Sequence, residues 1–340
     1  MSEFSSTHPD RSGRALPIAL FGTALAWYVA SQSLATRSAR GLTNRFNADG
    51  FEPLVASLFL LFLLAVGFFL LTNIARRPSS LRELFGLPRR ATTSQEWLLG
   101  AAIGWGIGVL SVVPLVLTRA LSIGFWTEPR AFGLIVVNIV GLAVGTLAEE
   151  VVFRGFPFRC LIGAIGPTRA TVLLAGLYGL AHTLTGNGSL LAFAVTFLAG
   201  VLLAVGWLRT HGLWLSWGLH FAWNASIGIL FGLPVTGSVA NSTVVQSTAY
   251  ARSWLTGGDF GPEASAVSLL ALMVAMVVLV RTTRDYAWNY THPVIVPGGY
   301  PMDVPPPPAH SAMEKQGNEP LIQIVPVTPQ GRSTGEEPRP

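Results

Sequence analysis

The chain has 340 residues, of which 51% are hydrophobic and only 11% charged, with a net charge of +5 and a mean hydropathy of +0.51. Soluble globular domains carry about 25% charged residues, so the composition excludes an ordinary soluble domain and points to a multispanning membrane protein. The basic character does not indicate nucleic acid, because the arginines are scattered between apolar runs and form no basic stripe. Cys160 is the single cysteine, which excludes a disulfide framework and a thiolate metal cluster.

Residues 1–15 are polar and read as an unfolded tail. Leu16–Ala35, preceded by Arg11 and Arg14, reads as a first span, since further apolar runs follow it and no cleavage site leads to a soluble domain. Leu54–Leu71 is the second, close to the ~20 residues a helix needs to cross the hydrocarbon core. The most basic connection follows, Arg76 to Arg90, with a short amphipathic piece that places Leu81, Leu84 and Phe85 on one side. The third span, from about Trp97 to Leu117, is rich in glycine, which lets helices approach closely. A fourth starts near Ala131.

Pro167 marks the break before a fifth helix, Ala170–His182, which a Gly-Asn-Gly-Ser turn at 186–189 ends. Leu190–Leu208, Leu213–Leu233 and Ala264–Val280 complete eight spans, with a polar loop before the last. Residues 282–340, with four consecutive prolines from Pro305, read as a disordered tail. The fold expected is all-α, a polytopic transmembrane helix bundle of about eight spans enclosing an intramembrane cavity. Eight spans put both termini on one side. Loops on that side hold the larger share of the arginines, so both termini are expected in the cytoplasm of a bacterial inner-membrane protein.

Three polar clusters stand inside these apolar runs. The first is Glu149-Glu150 with Arg154. Charge in a membrane is expensive and by default functional. Glu150 and Arg154 are four apart and share a helical face, so they can pair; Glu149 is turned about 100° away and has no partner in its own helix. A structural ion pair near the headgroups is the plain alternative. The second cluster is His182, one turn after Tyr178, which could equally cap its helix end. The third is His220 with Asn224 on one face of an apolar helix, where interhelical bonding is the competing explanation. Together they supply a base, an imidazole and a donor pair, a kit for activating water and stabilising an oxyanion.

Glu149-Glu150-Val-Val-Phe-Arg154, Tyr178-Gly-Leu-Ala-His182 and His220-Phe-Ala-Trp-Asn224 resemble, in order, the EExxxR, FxxxH and HxxxN motifs of one family. This is the CAAX-protease and bacteriocin-processing family of intramembrane proteases, which includes the Ras-converting enzyme. The likeness covers roughly residues 80 to 280 and extends to Gly257-Gly-Asp-Phe-Gly-Pro-Glu263. Position 178 departs from it, with tyrosine where phenylalanine is usual; the added hydroxyl needs a partner.

The resemblance implies a membrane endopeptidase with a core at 81–281, preceded by two helices within 16–80. Glu149 and His182 would hold and deprotonate a water, His220 and Asn224 would stabilise the oxyanion, and Glu150, Arg154 and Tyr178 would support the site. No cofactor is expected. If a divalent metal such as zinc is used, Glu149, His182 and His220 are its expected ligands. The expected partners are the bilayer and a peptide or protein substrate at the membrane, not nucleic acid. A non-catalytic scaffold or bacteriocin self-immunity protein of the same fold is the alternative, and a small-solute transporter ranks last because no inverted repeat of broken helices is visible. The expected depths of Glu149 and His182 agree only if the fourth helix continues past Gly155 to about Leu161 and the fifth is tilted.

Overall fold

The structure, a computed structural model, describes residues 12–76, 79–184, 187–241 and 243–284. The expected tails therefore lie almost wholly outside the described residues, as do Arg77 and Gly186. Residues 12–15, read from the sequence as tail, instead open the first helix.

Helices α1 (Ser12–Arg45) and α2 (Glu52–Ile74) pack against each other. The Trp27 indole donates to the Leu63 carbonyl at 2.9 Å. Gly67 makes room for it, since a Cβ there would lie 1.9 Å from the indole nitrogen. The short α3 (Leu81–Phe85) begins with a reciprocal capping box between Ser80 and Glu83 and ends on Gly86 at φ +67°. It buries Leu84 and leaves Leu81 exposed. Next come α4 (Thr93–Leu117) and strand β1 (Leu121–Phe125).

Helix α5 (Pro129–Phe153) stops at Arg154-Gly155, and α6 (Phe156–Ile165) starts after the turn. The expected continuation past Gly155 to Leu161 is thus not one helix. Pro157 supplies no N–H and stands in the first turn of α6, where none is needed. Helices α7 (Pro167–Thr183), α8 (Leu190–Thr210) and α9 (Leu213–Ala225) follow. Beyond α9 the chain widens into π-type bonding over Ser226–Leu230, where Phe231 N–H donates to the Ser226 carbonyl at 2.9 Å. Strand β2 (Val245–Ala249), the single turn α10 (Ser253–Thr256) and α11 (Ala266–Thr282) complete the described chain.

The molecule is a polytopic helix bundle. Among the described residues, five helical runs are long and apolar enough to cross a membrane: Arg14–Arg45, Asp49–Ile74, Thr93–Leu117, Pro129–Ile165 and Leu190–Thr210. The other three stretches read as spans are helical but shorter. Helices α7 and α11 have 17 residues each, and α9 has 13 before its π turn. The all-α expectation misses one feature, the antiparallel ribbon of β1 and β2, paired from Leu121 with Ala249 to Phe125 with Val245. β1 alternates Leu121, Ile123 and Phe125 with Ser122 and Gly124, but β2, Val-Gln-Ser-Thr-Ala, is mostly small and polar, and both runs are too short to stand out from the loops around them.

The closest packing is between α4 and α9. Gly100, Gly104 and Gly108 recur every fourth residue and so share one face of α4. A Cβ at Gly100 would lie 2.0 Å from the Leu215 carbonyl oxygen, and one at Gly104 2.0 Å from that of Leu219. From the other side, Gly218 meets the Trp97 carbonyl in the same way. The two backbones touch along the stretch that carries His220. Two apolar clusters fill the bundle, one built around α4, α8, α9 and α11, the other around α1, α2, α5, α6 and α7. The polar clusters lie where these meet.

Candidate active site

Glu149, Glu150 and Arg154 stand at the end of α5, Tyr178 and His182 in the last turns of α7, and His220 and Asn224 on α9. The structure brings them together. Glu150, fully buried, accepts on Oε1 from Arg154 Nη1 at 2.9 Å, the pairing expected from their spacing. The same oxygen lies 2.9 Å from His220 Nδ1. That second contact links helices with no sequence proximity and could not be read from the sequence. Arg154 also donates from Nη2 to the Gly200 carbonyl on α8 at 3.1 Å, and its guanidinium carbon lies 4.7 Å from the Tyr178 ring centroid.

Glu149 is turned away from this pair, and its side chain is 32% exposed where that of Glu150 is 0%. Its Oε2 lies 3.7 Å from His182 Nε2 and 3.8 Å from His220 Nε2. This atom is buried and makes no hydrogen bond among the described residues. Both imidazoles are oriented through their other nitrogen. His182 Nδ1 is 2.9 Å from the Tyr178 carbonyl, which can only accept, so Nδ1 carries the proton. His220 Nδ1 faces the Glu150 carboxylate and likewise donates. In the neutral rings both Nε2 atoms are unprotonated; that of His182 faces Glu149, and that of His220 lies between Glu149 and the Tyr178 hydroxyl.

The Tyr178 hydroxyl finds its partner in His220 Nε2 at 3.3 Å, and its ring stacks obliquely on His182 with centroids 4.1 Å apart. Asn224 sits one turn beyond His220, about nine-tenths buried, with Oδ1 unbonded among the described residues.

A third carboxylate went unremarked in the sequence except as part of the family likeness. Glu263 is buried in the turn Pro262–Ala264 and accepts on Oε2 from Thr236 N–H at 2.6 Å and from the Thr236 hydroxyl at 3.0 Å. Burial pushes its carboxyl above the usual range, while the His182 charge, the Thr236 hydrogen bonds and His220 pull it back. Its loop is shaped by Gly261, at φ +102°, where a Cβ would lie 2.0 Å from the Pro234 carbonyl oxygen. The one signal in the sequence was a carboxylate beside a glycine-rich turn.

Two imidazole Nε2 atoms and a carboxylate oxygen, with the imidazoles steadied through Nδ1, are a donor set known from zinc sites. As positioned, however, no three His, Cys, Asp or Glu side chains among the described residues form a group that could hold a metal ion.

The family model described as type II CAAX prenyl endopeptidase Rce1-like matches residues 131–226. A search of the curated proteins found no match. The matched stretch is narrower than the likeness read from the motifs and leaves Glu263 outside. It runs from the start of α5 to the first residue of the π turn and contains Glu149, Glu150, Arg154, Tyr178, His182, His220 and Asn224. Over this stretch, which holds all of these residues, the chain is similar to the Rce1-like type II CAAX prenyl endopeptidases.

Proposed function

We propose that the protein is an intramembrane endopeptidase in which Glu149 and His182 activate a water for attack on a peptide carbonyl. The observation that carries this reading is the convergence of Glu149 Oε2 with the Nε2 atoms of His182 and His220, at 3.7 and 3.8 Å. Separations of this size suit acceptors that share a bridging water rather than a direct hydrogen bond. Glu149 takes a proton from the water as its oxygen bonds to the scissile carbon, and the carbonyl oxygen becomes an oxyanion. Asn224 Nδ2 donates to that oxyanion, and His220, entering the step already as an imidazolium balanced by Glu150, donates from Nε2 and keeps its proton throughout. Glu149 then returns its proton to the leaving nitrogen as the C–N bond breaks.

In this reading residues 81–281 form the protease core, the helices within 16–80 stand beside it, and both termini face the cytoplasm. The substrate is a hydrophobic or membrane-associated peptide, prenylated CAAX-type peptides being the class named for the family.

The test uses full-length protein reconstituted in vesicles with a prenylated CAAX-type peptide and an unprenylated apolar peptide. Wild type is expected to cleave at least one of them, and Glu149→Gln to lose roughly 100-fold or more in rate while keeping its Tm. Wild-type turnover by Glu149→Gln sinks the mechanism. No cleavage by wild type, together with a lower Tm in His220→Ala, favours the scaffold reading. Metal analysis of the same preparation is decisive for the cofactor: a stoichiometric ion lost in Glu149→Ala replaces activated water with a metal-bound one.

A further inference from the structure

The connection between α3 and α4 forms a basic corner that the proposed chemistry does not use. Arg82 on α3, Leu87, Arg89 and Arg90 on the following loop, Thr93 opening α4 and Trp214 opening α9 line a cavity of about 430 Å³. Arg90 is built into its wall. Its Nη1 donates to the Thr210 carbonyl at 2.5 Å and approaches the buried Glu96 at 3.4 Å, and its Nη2 donates to the His211 carbonyl at 2.8 Å. The guanidinium charges of Arg82 and Arg89 have no carboxylate partner among the described residues. Glu83, the nearest acidic residue in sequence, is turned into the capping box with Ser80. Glu96 is spent on Arg90 and Thr92.

Position in the fold narrows the ligand. The corner follows the end of α2 at Ile74 and precedes the start of α4 at Thr93, so it stands where two spanning helices meet the headgroup layer. Leu81, next to Arg82 in α3, is 51% exposed and offers apolar surface for an acyl chain. Arginine forks match phosphate oxygens in pairs, and basic pockets between spanning helices suit anionic headgroups.

We propose that Arg82 and Arg89, at the corner whose wall Arg90 holds in place, bind the phosphate of an anionic phospholipid. The site also grips α9: Leu213 N–H donates to the Gly86 carbonyl at 2.8 Å, and the Trp214 indole donates to the Pro88 carbonyl at 2.8 Å. Bound lipid therefore braces the start of the helix that carries His220, and its effect reads out as stability, independent of any turnover.

The experiment follows the Tm of full-length protein in neutral detergent as phosphatidylglycerol, phosphatidylcholine or inorganic phosphate is added. Phosphatidylglycerol is expected to raise Tm where phosphatidylcholine does not. In R82A/R89A, which leaves Arg90 in place, the half-saturating amount is expected to rise roughly tenfold or more. Equal shifts with both lipids overturn the site, and so does an unchanged titration in the paired variant. A shift with inorganic phosphate and none with phosphatidylglycerol overturns the lipid assignment in favour of a free-phosphate site. R89A alone, at an exposed loop position, carries the same comparison if the paired variant fails to fold.

Discussion

Glu149 and Glu150 are chemically identical neighbours with opposite circumstances. Glu150 is sealed from solvent and held through Oε1 by Arg154 and His220, whereas Glu149 reaches an accessible edge and faces two imidazole nitrogens. Spacing alone separated them, because residues four apart share a face and residues one apart do not. What spacing could not give was the Glu150–His220 bond, which depends on how α5 and α9 pack. Glu263 was illegible for the same reason: its anchor, Thr236, lies on a loop whose path no local rule predicts. Its raised pKa carries a sign that can be tested. A carboxyl that holds its proton more tightly when folded favours the fold below the ordinary value of 4.5 and loses that contribution as pH rises through the folded pKa. Glu263→Gln cannot ionise and can still accept from Thr236, so its Tm relative to wild type is expected to climb as pH is raised above 4.5. Melting curves from acid to neutral pH check this, and a gap that stays flat or narrows contradicts it.

Among the elements, the helices were legible where apolar runs were long and their ends punctuated. Pro167 opens α7, and the glycine spacing of α4 announced a close contact. Hydropathy did not reveal that the run from Pro129 to Ile165 is broken at Arg154-Gly155, because both pieces are apolar. Nor did it reveal the β1–β2 ribbon, whose pairing joins residues more than a hundred positions apart. The contact of α4 with α9 gives the sharpest prediction at this scale. In Gly104→Ala the new Cβ meets a backbone oxygen at 2.0 Å, which no rotamer change can relieve. Overpacking of this kind costs about 1–3 kcal/mol, and His220 moves with α9. A lowered Tm and lost cleavage are expected in Gly104→Ala, while Gly106→Ala, on an open face, serves as the neutral control.

At the level of the whole molecule, the bundle was legible from composition, since 11% charge leaves little else to build. The number of spans was harder to read, because α7, α9 and α11 are short and an apolar stretch does not declare whether it crosses or only enters. The arginines set the expectation for orientation. The corner at Arg82–Arg90 and the ribbon at Phe125 lie at opposite ends of α4, so they are expected on opposite faces of the membrane. In a Cys160→Ser background, Arg89→Cys should react with an impermeant thiol reagent only from the cytoplasmic side, and Phe125→Cys only from the other. The reverse pattern inverts the topology.

The glycine-lined contact between α4 and α9 has a further consequence, for motion. Where backbones touch without side chains between them, one helix cannot creep along the other by small amounts; the next position that again sets glycine against backbone lies four residues away, a step of about 6 Å. Rotation is barred by the same contact. His220 and Asn224 are therefore held at a fixed bearing, on a wall that does not yield.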